Sequence, residues 1–173
     1  MRKIVFTLVL AMLSAWFVAI PAVQAGEANA AHLYLVEKNP ADWTIVPGGA
    51  WGKMRYRPES KFFDFVFNGH KLDKRESYTL IYYPDPWPGT GLICLGQGMA
   101  DDRGNVHIMG KIATGDLPAA YDENSTIPEP GAKLWLVSSA DVDCREGLTK
   151  MVGWNPTEYL FEKNLISYEA EAK

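Results

Sequence analysis

Three groups of residues in this chain have types and spacings that could do chemistry. The first is aromatic. Trp87 sits in Tyr83-Pro84-Asp85-Pro86-Trp87-Pro88-Gly89-Thr90-Gly91, where three prolines surround one indole. Proline fixes φ and removes a backbone donor, so this loop cannot join a central ladder and is semi-rigid. A rigid, exposed ring there could stack on a sugar or anchor a protein partner. Folded back, the same ring would be a lid over one end of the domain. Trp154, in Gly153-Trp154-Asn155-Pro156, is a weaker version of the same pattern. Trp87, Trp154, Tyr83 and Asp85 are therefore the candidate ligand-binding residues.

The second group is acidic. Asp101-Asp102 followed by Gly104-Asn105 places closely spaced oxygen donors on one loop, as a hard cation such as calcium requires. Asp101, Asp102 and Asn105 are the candidate metal ligands, and Asp141-Val142-Asp143 is a second acidic pair. Asp, Gly and Asn are also the residues that turns require for their own reasons. Neither cluster has EF-hand spacing. A carboxylate pair for glycoside hydrolysis cannot be picked from 21 acids without knowing their separations in space. His32, His70 and His107 form no spaced metal-ligand pair. There is no GxSxG elbow, HExxH helix, phosphate loop or GxGxxG turn.

The third group is the cysteine pair, Cys94 and Cys144. No CxxC or neighbouring histidine points to a metal, so in an oxidising compartment the expectation is one disulfide. Blue-copper chemistry would need two imidazoles beside a thiolate, and none lies near Cys94 or Met99. Asn124-Ser125-Thr126 fits the acceptor pattern for N-glycosylation, with Asn124 as the possible site.

The N-terminus indicates where this chemistry would operate. Met1-Arg2-Lys3 is basic, Ile4 to Ile20 is apolar apart from Thr7 and Ser14, and Pro21 then breaks the run. Val23-Gln24-Ala25 supplies the small residues of a cleavage site, so residues 1–25 read as a secretory signal peptide. Removing them leaves 148 residues with 15 basic and 21 acidic groups, and losing Arg2 and Lys3 takes the net charge from −4 to −6. An acidic domain without a basic run is a poor partner for nucleic acid. The expectation is a secreted protein without stable membrane insertion after cleavage. Its organisation would be a short flexible N-terminus at 26–31, a domain at 32–168 and a tail at 169–173.

The elements that must position these groups are strands. His32 to Glu37, Trp51 to Arg57, Lys61 to Asn68, Tyr78 to Tyr83, Leu92 to Leu95, Val106 to Ile112, Ala132 to Val137 and segments after Met151 have strand composition or alternation. In the second of these, Met54 and Tyr56 share one face and Lys53, Arg55 and Arg57 the other. Asn68-Gly69 and Asp101 to Asn105 read as tight turns. Only 155–164 offers a weak helical alternative. Ala113 to Gly131 has no strand pattern, and loops of that length are usually functional or mobile. The fold class is all-β: a single antiparallel β-sandwich of about seven to nine strands, Ig-like or jelly-roll-like.

The order Asp42-Trp43, Gly49-Ala50-Trp51-Gly52, Tyr78 to Tyr83, Pro86-Trp87-Pro88-Gly89, Cys94-Leu95-Gly96, Gly104-Asn105-Val106 and Ala132 to Val137 resembles a family of uncharacterised secreted prokaryotic β-sandwich proteins. The resemblance extends from Leu33 to Leu165. It implies an extracellular sandwich and supplies no catalytic residue. The functional expectation is a non-catalytic extracellular module that binds protein or glycan through aromatic loops, or builds a surface, without a cofactor. The alternative is a secreted polysaccharide-acting hydrolase with loop carboxylates, assisted by calcium.

Overall fold

Alternation along four strands builds one wall of the core. Leu33 and Leu35 of β1 (Ala31–Val36), Met54 and Tyr56 of β2 (Trp51–Tyr56), Phe63, Phe65 and Phe67 of β3 (Phe62–His70), and Val106 and Ile108 of β6 (Val106–Ala113) are buried. The residues between them face outward, as the two-residue period of a strand dictates. These coordinates are a computed structural model describing residues 30–57, 62–83, 87–89, 91–113, 133–145 and 149–166. The signal-like segment 1–25, Asp85, Asn124 and nearly all of the long 113–131 loop lie outside them.

The first sheet has the order β10-β1-β2-β3-β6, with β10 the short strand Phe161–Glu162. The second is β5-β4-β7, formed by Ile93–Met99, Ser77–Tyr83 and Lys133–Ser138. A small ribbon pairs β8 (Val142–Asp143) with β9 (Lys150–Met151). Every pairing is antiparallel. The two sheets are joined at one edge by reciprocal Leu136 and Leu160 backbone bonds of 2.9 Å. At the other edge the Asp101–Asn105 turn carries the chain from β5 to β6, with the Asp101 amide donating to the Asn105 carbonyl at 2.8 Å. The expected antiparallel sandwich is present, with ten described strands of which three span two residues each.

β4 and β7 are buried on both faces, which explains why Tyr78 to Tyr83 and Lys133 to Val137 show no alternation. Leu80, Tyr82, Leu134 and Leu136 point into the sandwich. Ile81, Tyr83, Trp135 and Val137 point the other way, into a second core. That core is closed by Val142, Met151, Tyr159 and Phe161, contributed by the chain after β7. Residues 139–145 and 149–159 therefore form a third layer over the smaller sheet.

Two local expectations change. Asn68-Gly69 is not a turn: both residues lie in β3, paired with His107 and Val106. A side chain at Gly69 would come within 2.8 Å of Val106 Cγ1, so close packing rather than turn geometry requires the glycine. The reversal comes later, where Lys71 and Arg75 adopt φ of 62° and 64°. The weak helix at 155–164 reduces to a 3-10 turn at Pro156–Glu158. No helix among the described residues is long and apolar enough to cross a membrane.

Candidate functional site

Three tryptophans from three loops meet over the second core. Trp43 follows β1, Trp87 follows β4 and Trp154 follows β9, and they are 48%, 50% and 44% exposed. The Trp154 ring is the hinge of the group. Its centroid lies 6.3 Å from that of Trp43 at 50° and 5.2 Å from that of Trp87 at 75°. The three half-exposed rings form an apolar ridge on the surface rather than core filling.

Buried rings support it from below. Trp154 is edge-on to Tyr159 at 5.6 Å and lies 6.0 Å from Trp135, while Trp43 is edge-on to Phe161 at 5.1 Å. Each such pair contributes about 0.5–1.5 kcal/mol beyond burial. Tyr83, expected at the ligand surface, is instead fully buried and stacked on Trp135 at 3.9 Å and 16°. Its place in β4 turns it toward the second core, so it braces the ridge from inside.

Backbone locks hold each indole. Trp43 has φ of 59°, a left-handed conformation that bulky residues rarely adopt. The surrounding turn fixes it: the Trp43 amide donates to the Asn39 carbonyl at 2.7 Å, and the Thr44 amide and hydroxyl donate to Asp42 Oδ1 at 3.1 and 2.8 Å. Those Thr44 bonds, its hydroxyl first, hold the Asp42 carboxyl below its ordinary range. At Trp154, the Val152 and Gly153 amides donate to the Asp141 carbonyl at 2.8 and 3.1 Å. The Tyr159 hydroxyl donates to Asp141 Oδ2 at 2.6 Å and accepts from the Asn155 amide at 3.0 Å. Burial, with the Asp141 bond second, pushes that hydroxyl's pKa well up. The Met151 amide donates to the Pro88 carbonyl at 3.1 Å, tying the Trp87 loop, whose Trp87–Pro88 peptide is cis, to the strand before Trp154.

Glu162 is a second acid beneath this cluster, in addition to Asp141. The Trp135 Nε1–H donates to Glu162 Oε2 at 2.5 Å, and Lys38 Nζ stands 3.8 Å from Oε1. Burial raises the Glu162 carboxyl above its usual range, with Lys38 opposing. Lys38 also lines an open cleft of about 360 Å³ with Asn39, Thr44, Ile45 and Thr157.

The calcium candidates Asp101, Asp102 and Asn105 are each bonded to neighbouring groups of the protein. Asp101 Oδ1 accepts the Arg103 and Asn105 amides, both at 2.8 Å, and these backbone bonds, Asn105 first, hold its carboxyl low. Asp102 Oδ1 takes Arg75 Nε at 2.6 Å. Asn105 Oδ1 faces His70 Nδ1 at 2.9 Å. The three residues are turn-formers, each already bonded within the protein. Asp143 pairs with Arg145, whose hydrogen bonds pull its carboxyl down to about 2. Among the described residues no group of three or more His, Cys, Asp or Glu could hold a metal ion.

Cys94 and Cys144 are bridged, with Cα atoms 5.8 Å apart. The bond links β5 to the end of β8 and so anchors the layer that carries Trp154. Such a bond is compatible with an extracytoplasmic protein.

Sequence reasoning singled out Trp87 and Trp154, which the structure brings together, and passed over Trp43 and Glu162, which lie with them. The Asn39-Pro40-Ala41-Asp42-Trp43-Thr44 turn did contain a signal, since Asn and Asp flank the indole at Asx-turn positions. Nothing local marked Glu162. No family model matches the chain, and no match was found among curated proteins or solved structures.

Proposed function

We propose that this protein is a secreted, non-catalytic binding module whose Trp43–Trp154–Trp87 ridge holds a glycan chain. The observation that carries this reading is the convergence of three half-exposed indoles from separate loops, one of them kept in a left-handed conformation. Backbone strain of that kind persists where the surroundings enforce it, and it clusters at ligand sites. Indole faces match the apolar faces of pyranose rings, and a rigid ridge loses little entropy on binding. The tilts of 50° and 75° bend the ridge, which favours a single curved or twisted chain over a flat crystalline surface. The signal-like N-terminus and the disulfide support an extracytoplasmic site of action.

A polysaccharide hydrolase would need two carboxylates flanking the scissile bond. Of the described acids nearest the ridge, Asp42 is held by Thr44, Asp141 by Tyr159 and Glu162 by Trp135, which supports binding without turnover. The test is a tryptophan-fluorescence and calorimetric titration against neutral cello-, xylo- and chito-oligosaccharides. Trp154→Ala should weaken the binding of a responding glycan about tenfold or more, as loss of a central aromatic contact does. Trp43→Ala and Trp87→Ala should each weaken it less. Unchanged affinity in all three variants, or no response to any glycan, would discard this reading.

A further inference from the structure

A second surface lies on the far side of the molecule's main sheet, and its charge is opposite to that of the chain. Along β2 and just beyond it, Lys53, Arg55 and Arg57 occupy alternate positions, so all three project from the outer face about 6.6 Å apart. Lys111 of β6 joins them on the same face, directly across from Asp64 of β3. Three cations at the described outward positions of β2 and β6, with Arg57 just beyond β2, share this face with one described carboxylate, Asp64, in a chain whose net charge is −4. Arg55 and Arg57 also line a shallow cleft of about 220 Å³ with Asp64 and Val66.

Two of these cations lie over aromatic rings. Lys53 Nζ is 5.8 Å from the centre of Tyr34, and Lys111 Nζ is 4.4 Å from the centre of Phe62. Tyr34 and Phe62 are 40% and 42% exposed. The face therefore repeats an aromatic ring next to an ammonium group. A uronic-acid unit carries the complementary pair, an apolar sugar face next to a carboxylate. The cations are arranged in a line along one strand, which fits a linear chain with regularly spaced charges better than a two-dimensional lipid surface. Neither ring stands clear of its lysine as a wedge that could enter a bilayer.

We infer that the outer face of the five-stranded sheet is a docking surface for an acidic, carboxylate-bearing polysaccharide. The site is separate from the tryptophan ridge and does not depend on that reading. Charges aligned in this way raise the association rate and make binding sensitive to salt.

The test uses polygalacturonate as probe, with dextran, phosphatidylglycerol–phosphatidylcholine vesicles and duplex DNA as comparison arms. Wild-type protein should bind polygalacturonate at ~50 mM NaCl, and affinity should fall about tenfold by ~500 mM as the Debye length drops below the charge spacing. Lys53→Gln with Arg57→Gln should weaken binding about fivefold or more, the loss expected when two partly screened contacts go. Lys53→Arg with Arg57→Lys should restore it, which separates charge from any effect on folding. Trp154→Ala should bind polygalacturonate as wild type does. No binding at low salt, equal binding by the glutamine variant, or tighter binding to vesicles or DNA than to polygalacturonate would overturn the proposal. So would equal loss on Trp154→Ala.

Discussion

The indole of Trp135 donates its N–H to the Glu162 carboxylate, and that same indole packs beneath Trp154. A partly buried acid from β10 therefore orients a ring of β7 on which the surface ridge rests. Burial disfavours the charged form of Glu162, so its folded-state pKa is raised. Stability linked to a raised acid is fully present below the unfolded pKa and is lost as pH rises through the folded one. Glu162→Gln keeps an oxygen acceptor for Trp135 and removes the titration. The Tm difference between Glu162→Gln and wild type should move in favour of the variant as pH rises from 4 upward. A parallel pair of Tm–pH curves would refute this account of Glu162.

At Trp43 the backbone and the ring pull in opposite directions. A left-handed backbone destabilises a residue with a Cβ by about 1–2 kcal/mol, whereas glycine adopts it freely. Both Trp43→Gly and Trp43→Ala lose the contact with Phe161. Urea denaturation should therefore find Trp43→Gly more stable than Trp43→Ala by about 1 kcal/mol, despite the greater freedom of glycine in the unfolded chain.

The disulfide closes a sequence separation of 50 residues. Chain entropy puts its contribution at about 4 kcal/mol for a loop of that size. Replacing both cysteines with alanine should lower the denaturation free energy by roughly that amount. Because Cys144 borders the layer that carries Trp154, acrylamide quenching of tryptophan should also increase. Loss of stability with unchanged quenching would mean that the ridge holds its shape without the bond.

Gly52 tests the packing between β2 and β3. A Cβ there would lie 2.2 Å from Phe67 Cζ, and Phe67 is buried against the core. Overpacking of this kind destabilises by about 1–3 kcal/mol. Gly52→Ala should lower the urea midpoint accordingly, while Gly48→Ala, with open space around it but φ of 71°, should show only the smaller backbone effect.

Much of this was legible before any coordinates. The alternation of Phe63, Phe65 and Phe67 with outward neighbours fixed one face of β3, because a strand has only two sides. The export-like N-terminus, the paired cysteines and the Lys53, Arg55, Arg57 row were equally local, as was the proline-bound setting of Trp87. Tyr78 to Tyr83 and Lys133 to Val137 were legible as strands, but not as strands buried on both faces. Their continuous burial depends on a third layer that the chain adds only after residue 138. Asn68-Gly69 was misread as a turn because the need for glycine came from Val106 and Leu72, residues distant in sequence.

By itself, then, the sequence determined strand class, outward charge and covalent closure, since each depends on residue type or on spacing within a few positions. Only the tertiary structure decided that Trp43, Trp87 and Trp154 form one ridge, that Tyr83 braces it from inside, and that Glu162 lies beneath it. Those relationships join loops from β1, β4 and β9 with strands β7 and β10. Residues separated by tens of positions meet only when two sheets and a covering layer close over a shared core.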